Sequence, residues 1–259
     1  MKNRINQLFE TKKENILSVY FTAGFPKLND TVEIIQQLEK NGVDLIEIGI
    51  PFSDPTADGP IIQKSSEAAL KNGMSLNLLF EQLKTIRESV NIPLVLMGYF
   101  NPVLQFGVEK FCKKCAEIGI DGTILPDLPL NEFEQEYEHI FRKNNLHNIL
   151  LITTQTSEKR IKQIDKASSG FIYMVSSAST TGTGKKVEDF QQDYFEKIQQ
   201  MNLKNPCIIG FGISDKATFN NACKYARGAI IGSAFVKSIS NNDLFVESIP
   251  VFIQNILGK

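Results

Sequence analysis

Short apolar runs rich in branched and aromatic residues recur along the chain at Ile16–Thr22, Leu45–Gly49, Leu94–Tyr99, Thr123–Pro126, Ile149–Thr153, Phe171–Val175, Cys207–Gly210 and Ala229–Ile231. Between them apolar positions fall at helical spacing, over Thr31–Lys40, Leu76–Val90, Gly107–Ile118, Asn131–Lys143, Ser157–Ala167, Asp189–Met201, Lys216–Lys224 and Asp243–Leu257. Runs that are apolar on both faces and alternate with helices predict parallel strands under helical cover, because a parallel pair needs a long crossover. Eight such units in 259 residues predict a (β/α)8 TIM barrel, with an open doubly wound sheet as the alternative. Residues 3–13 predict an extra helix ahead of the first strand. The segments Asn41-Gly42-Val43-Asp44 and Ile118-Gly119-Ile120-Asp121 each stop a helix at glycine and lead into a strand. No Pro/Gly/Ser-rich linker interrupts the series, so one domain over residues 1–259 is expected.

Composition narrows the class of function. A chain that is 42% hydrophobic and 22% charged has ample material for a core, which excludes disordered and collagen-like proteins. With 28 Lys and Arg against 29 Asp and Glu, the net charge is −1, and no global field gathers nucleic acid or anionic lipid. An anionic ligand must therefore be met by local geometry. The longest apolar stretches, such as Ile92–Phe100, are about half of what a membrane span needs, and the opening Met1-Lys2-Asn3-Arg4 lacks a signal-peptide core; a cytoplasmic protein is expected. The chain has 18 Phe, 6 Tyr and no Trp.

Few residues offer chemistry, and the absences are informative. Cys112 and Cys115 have CxxC spacing, but no second pair or adjacent histidine completes a metal site, and their helical neighbours predict packed thiols. None of the eight apolar runs contains lysine or histidine, so neither a Schiff-base nucleophile nor a histidine base stands on a strand. In a barrel the reactive groups sit on the loops that follow the strands. Glu47 is a carboxylate inside an apolar run: either a hidden partner satisfies it, or desolvation keeps it partly neutral and it serves as acid and base. Asp58, on the proline-rich loop that follows, reads either as an Asp-Gly turn or as a second carboxylate folded over the barrel mouth. Glycine- and serine-rich turns follow the last three runs: Ser176 to Lys185, Gly210-Phe211-Gly212-Ile213-Ser214 and Gly232-Ser233-Ala234. The first reads as a solvated connector or a lid, and the others as bare turns or as a backbone cradle for phosphate.

The segments Tyr20-Phe21-Thr22-Ala23-Gly24-Phe25-Pro26, Pro51-Phe52-Ser53-Asp54-Pro55, Ala57-Asp58-Gly59-Pro60, Gly98-Tyr99-Phe100-Asn101-Pro102 and Pro126-Asp127-Leu128-Pro129, with the two late glycine turns, occur in that order. Together they resemble the tryptophan synthase α subunit family over nearly the whole chain, the stretch from Glu47 to Pro60 being the most specific. The resemblance implies a TIM-barrel lyase that cleaves indole-3-glycerol phosphate to indole and glyceraldehyde 3-phosphate. It implies no cofactor in this chain and an α2β2 complex, whose β subunit carries pyridoxal phosphate and takes the indole for the last step of tryptophan biosynthesis. By position, it implies Glu47 as the acid/base and Asp58 as the carboxylate facing the indole nitrogen. Phe21, Thr22, Ile62, Tyr99 and Tyr173 are then expected around the indole ring, and Thr181, Gly182, Phe211, Gly212, Gly232 and Ser233 around the rest of the substrate and its phosphate. Asp54, Pro55, Asp127 and Pro129 are expected to face the β subunit. Two departures stand out: Ser179-Thr180-Thr181-Gly182 replaces a common Gly-Val-Thr-Gly, and Thr56 replaces a common leucine. The lost glycine motivates a second reading, a mainly regulatory subunit that activates a β partner, while an epimerase- or isomerase-type phosphate barrel is disfavoured by Pro-Phe-Ser-Asp-Pro.

Overall fold

Each apolar run becomes a strand covered on both sides, because only a sheet with filled faces shelters so many consecutive apolar positions from water. In a computed structural model of the chain, which describes residues 2–176, 187–210, 212–240 and 245–258 (side chains of 187–191 apart), the strands are β1 (Ile16–Thr22), β2 (Leu45–Gly49), β3 (Leu94–Met97), β4 (Gly122–Ile124), β5 (His147–Thr153), β6 (Ile172–Val175), β7 (Cys207–Gly210) and β8 (Gly228–Ile231). They pair in sequence order, all parallel, and β8 closes on β1. The TIM barrel is therefore the observed fold.

Strand alternation sorts the side chains. Leu17, Val19 and Phe21 of β1 pack outward with Ile34, Ile35 and Leu38 of the helix Thr31–Lys40. Ile16, Leu45, Val95, Ile124, Ile149, Phe171, Tyr173, Ile208 and Ile230 fill the interior. The helix Arg4–Thr11 stoppers the N-terminal end: Ile5 is fully buried among the interior residues, with Leu8 and Phe9 packed beside it. The Asn3 side chain caps that helix by accepting from the Ile5 N–H at 2.9 Å and ties it to the barrel by donating to the Asp121 and Asn145 carbonyls. The plug closes the barrel interior at its N-terminal end.

Several expectations need correction. β5 starts at His147, so one strand does contain a histidine; it lies at the N-terminal end, where its ring nitrogens meet Asn6 Oδ1 and Ser169 Oγ, both at 2.7 Å. Leu76–Val90 is not one helix but Leu76–Gln82 followed by a 3-10 turn at Ile86–Glu88. Asn131–Lys143 contains a π-turn at Phe133–Tyr137. The helices Pro60–Lys71, Phe100–Phe106 and Ser233–Ile239 were not expected; each starts within or next to a loop of the C-terminal end. Cys112 and Cys115 are buried in the helix Val108–Ile118, and burial pushes both thiols up, which fits packing. No helix among the described residues is long and apolar enough to cross a membrane.

Candidate active site

Glu47 is fully buried, in the middle of β2 and opposite Tyr20 of β1. Its Oε1 accepts from the Ser18 hydroxyl at 2.9 Å, while Oε2 has no hydrogen-bond partner among the described residues. Desolvation outweighs that single bond and raises the carboxyl to about 8, so at neutral pH Glu47 is mostly a neutral acid that loses its proton with little bias. A fully buried carboxyl with one neutral partner is a poor structural element and a good proton carrier, which favours the chemical reading of Glu47.

The second carboxylate comes from the loop after β2. Asp58 is half-buried, burial raises its pKa, and it accepts from Tyr99 Oη at 3.2 Å. The same phenol oxygen accepts from the Ala57 N–H at 2.9 Å, and its ring meets Phe52 at 5.1 Å between centroids. Tyr99, from the loop after β3, thus clamps the loop that carries Asp58. Its own pKa is pushed up to about 12, chiefly by burial, so it stays a phenol that can donate.

Glu47 and Asp58 both line a cavity of about 320 Å³, large enough for a small bicyclic ligand. Tyr20, Ile62, Met97, Tyr173 and Ile230 form its apolar wall, and the turns Gly212-Ile213-Ser214 and Gly232-Ser233-Ala234 its rim. Gly212 has φ +74°, a left-handed turn that a side chain would strain, and Ser233 opens a helix whose first N–H groups have no partner within it. Larger clefts lie beside Asn205 at the N-terminal end and beside Asp54, but their acidic side chains are all exposed.

Of the eight expected ligand-side residues that the structure describes, five line the cavity, and Tyr99 reaches it only through its bond to Asp58. Ile62, Tyr173, Gly212, Gly232 and Ser233 are on the wall or rim. Phe21 is not: it is fully buried on the helix-facing side of β1, and its neighbour Tyr20 reaches the cavity instead. Thr22 stands behind Tyr20, 3.4 Å from its hydroxyl and 2.6 Å from Ser65 Oγ. Thr181, Gly182 and Phe211 lie outside the described residues. Met97, Ile230 and Ser18 were not anticipated; each sits in an apolar strand where residue type does not tell the inward face from the outward one.

The model of the tryptophan synthase alpha chain family matches residues 6–249. This chain belongs to that family. A tryptophan synthase alpha chain of Flavobacterium psychrophilum is 60% identical over 98% of this chain and 99% of its own length, and that of Flavobacterium johnsoniae is 65% identical over 93% and 94%. Among solved structures, the tryptophan synthase subunit alpha of Legionella pneumophila superposes with a TM-score of 0.87 at 30% identity, over 99% of this chain and 97% of the other. In this alpha chain Asp54 and Asp127 are exposed on loops that follow β2 and β4. Asp127 accepts the Phe100 N–H with both oxygens, at 2.9 and 3.0 Å, so one loop is latched to the start of the helix Phe100–Phe106. Pro55 lines the open cleft with Asp54, and Pro129 precedes the helical turn Leu130–Glu132.

Proposed function

We propose that this alpha chain cleaves indole-3-glycerol phosphate to indole and glyceraldehyde 3-phosphate, working as one barrel domain in the cytoplasm. The observation that carries the reading is a fully buried, largely protonated Glu47 lining an apolar cavity that also holds Asp58 and is rimmed by backbone turns. Glu47 gives its proton to indole C3, and the positive charge that appears on the ring at N1 is steadied by the Asp58 carboxylate. The Glu47 carboxylate then takes the proton of the side-chain hydroxyl next to C3. The C–C bond breaks, its electrons return to the ring, and an aldehyde and neutral indole result, with Glu47 again protonated. Tyr99 donates to Asp58 and keeps it at the cavity. Gly212, Gly232 and Ser233 hold the phosphate end, together with Gly182 and Phe211, which lie outside the described residues as does the substrate-side Thr181; backbone donors of this kind suit a chain without basic excess. The exposed loops with Asp54, Pro55, Asp127 and Pro129 face a β subunit in an α2β2 assembly, that subunit carrying pyridoxal phosphate.

The test is indole release from indole-3-glycerol phosphate by the chain alone and with β subunit. Glu47→Gln is expected to keep its circular dichroism and lose activity by roughly 10²–10⁴-fold, the range of general acid–base catalysis. Near-normal turnover by that variant defeats the assignment of Glu47, and activity absent even in the complex favours a regulatory role.

A further inference from the structure

The barrel interior is apolar except for a few groups, and one of them is Ser18, fully buried on β1. It lies opposite Leu45 and Ile230, one inward position closer to the plugged end than Tyr20, the register partner of Glu47. A hydroxyl buried at that depth is costly unless bonded. Its donation to Glu47 Oε1 at 2.9 Å therefore ties the carboxyl towards the cavity floor.

We propose that Ser18 is a positioning residue for Glu47: its hydroxyl pins Oε1 and leaves Oε2 as the oxygen that carries the proton to and from the substrate. The inference rests on the acid/base reading of Glu47 given above. Oε2 has no partner among the described residues, so a proton placed there competes with no protein hydrogen bond. A carboxyl free at both oxygens would spread over several rotamers, and one fixed at both would be held ionised; a single neutral donor avoids both. The other titratable groups around Glu47 are Tyr20 on β1, Tyr173 on β6 and Asp58 on the loop after β2. Burial raises both phenols, so they stay neutral at physiological pH and add no charge beside the carboxyl, which the Ser18 hydroxyl bonds at 2.9 Å.

The test uses the full chain with Ser18→Ala and Ser18→Thr. In ligand-free protein the carboxyl stretch of protonated Glu47, identified by its loss in Glu47→Gln, is followed by infrared spectroscopy against pH. Removing a donor that favours the charged form should move this titration, and the alkaline limb of kcat, to higher pH by about half a unit or more. For Ser18→Ala, kcat should fall roughly ten-fold with KM within about two-fold, and Ser18→Thr should restore much of both. A Ser18→Ala protein with the wild-type band, titration and kcat overturns the inference. A shifted band with unchanged kcat rejects the positioning role. A shifted band in a chain whose wild type releases no indole rejects instead the reaction proposed above. Should Ser18→Ala fail to fold, Ser18→Cys, a weaker donor of similar size, replaces it with the same expected direction.

Discussion

At the scale of single residues, the carboxyl that suits proton transfer is also a source of instability. Glu47 titrates near 8 in the fold and near 4.5 as a free side chain, so between these values the folded chain holds a proton that the unfolded chain has lost. Stability contributed by this group therefore falls as pH rises through that window and levels off above pH 8. Glu47→Gln removes the dependence. The variant is predicted to be more stable than the native chain at pH 9, by roughly a few kcal/mol, with the gap closing towards pH 4–5. Urea unfolding at several pH values measures it, and parallel curves for the two proteins would refute burial as the cause. Glu47 was legible in the sequence because a charge inside an apolar run is expensive. Ser18 was not, since a serine in a strand has no such signature.

Among the elements, two strand-end glycines make room for two tyrosines. A Cβ on Gly49 would lie 2.2 Å from Tyr20 Oη, and one on Gly210 would lie 2.1 Å from Tyr173 Oη. Each phenol occupies the notch of a neighbouring strand, which holds these rings against the cavity wall. Gly210→Ala is predicted to displace the Tyr173 ring, to destabilise by about 1–3 kcal/mol as overpacking does, and to weaken ligand binding. Gly59→Ala, where a Cβ meets nothing within 4 Å and φ is an ordinary −74°, should stay within about 0.5 kcal/mol of wild type. Equal effects in denaturant melts would refute the packing argument. The notches also bear on the expectation for Phe21. Because β1 is apolar on both faces, its sequence leaves open whether Tyr20 or Phe21 turns inward; pairing with β2 and β8 decides for Tyr20.

For the molecule as a whole, one end of the barrel is stoppered by the helix Arg4–Thr11, and the other opens into the cavity. The absence of tryptophan gives this architecture an optical handle. Indole entering the apolar cavity should fluoresce without a protein tryptophan background when excited beyond tyrosine absorption. Its emission should shift to the blue and saturate at one equivalent per chain. Emission that stays as in water at saturating indole and protein would contradict an indole pocket. The near-zero net charge belongs to the same scale: with so little global field, phosphate must be recognised by short-range donors.

From the sequence came eight parallel strands alternating with helices, with a closed barrel expected ahead of an open sheet, and Glu47 marked as a charge inside an apolar run; these follow from periodicity and from the cost of burying charge, both properties of local residue type. Asp58 as the second carboxylate was implied by the family resemblance and not by its own turn-like context, and closure of β8 on β1 is a fact of the fold. Tertiary structure alone decided that Tyr20 and not Phe21 faces the cavity, that Ser18 holds Glu47, and that Tyr99 clamps the Asp58 loop. Each of those facts depends on the register between strands or the approach of separate loops. Such contacts join residues far apart in the chain, where no local pattern records them.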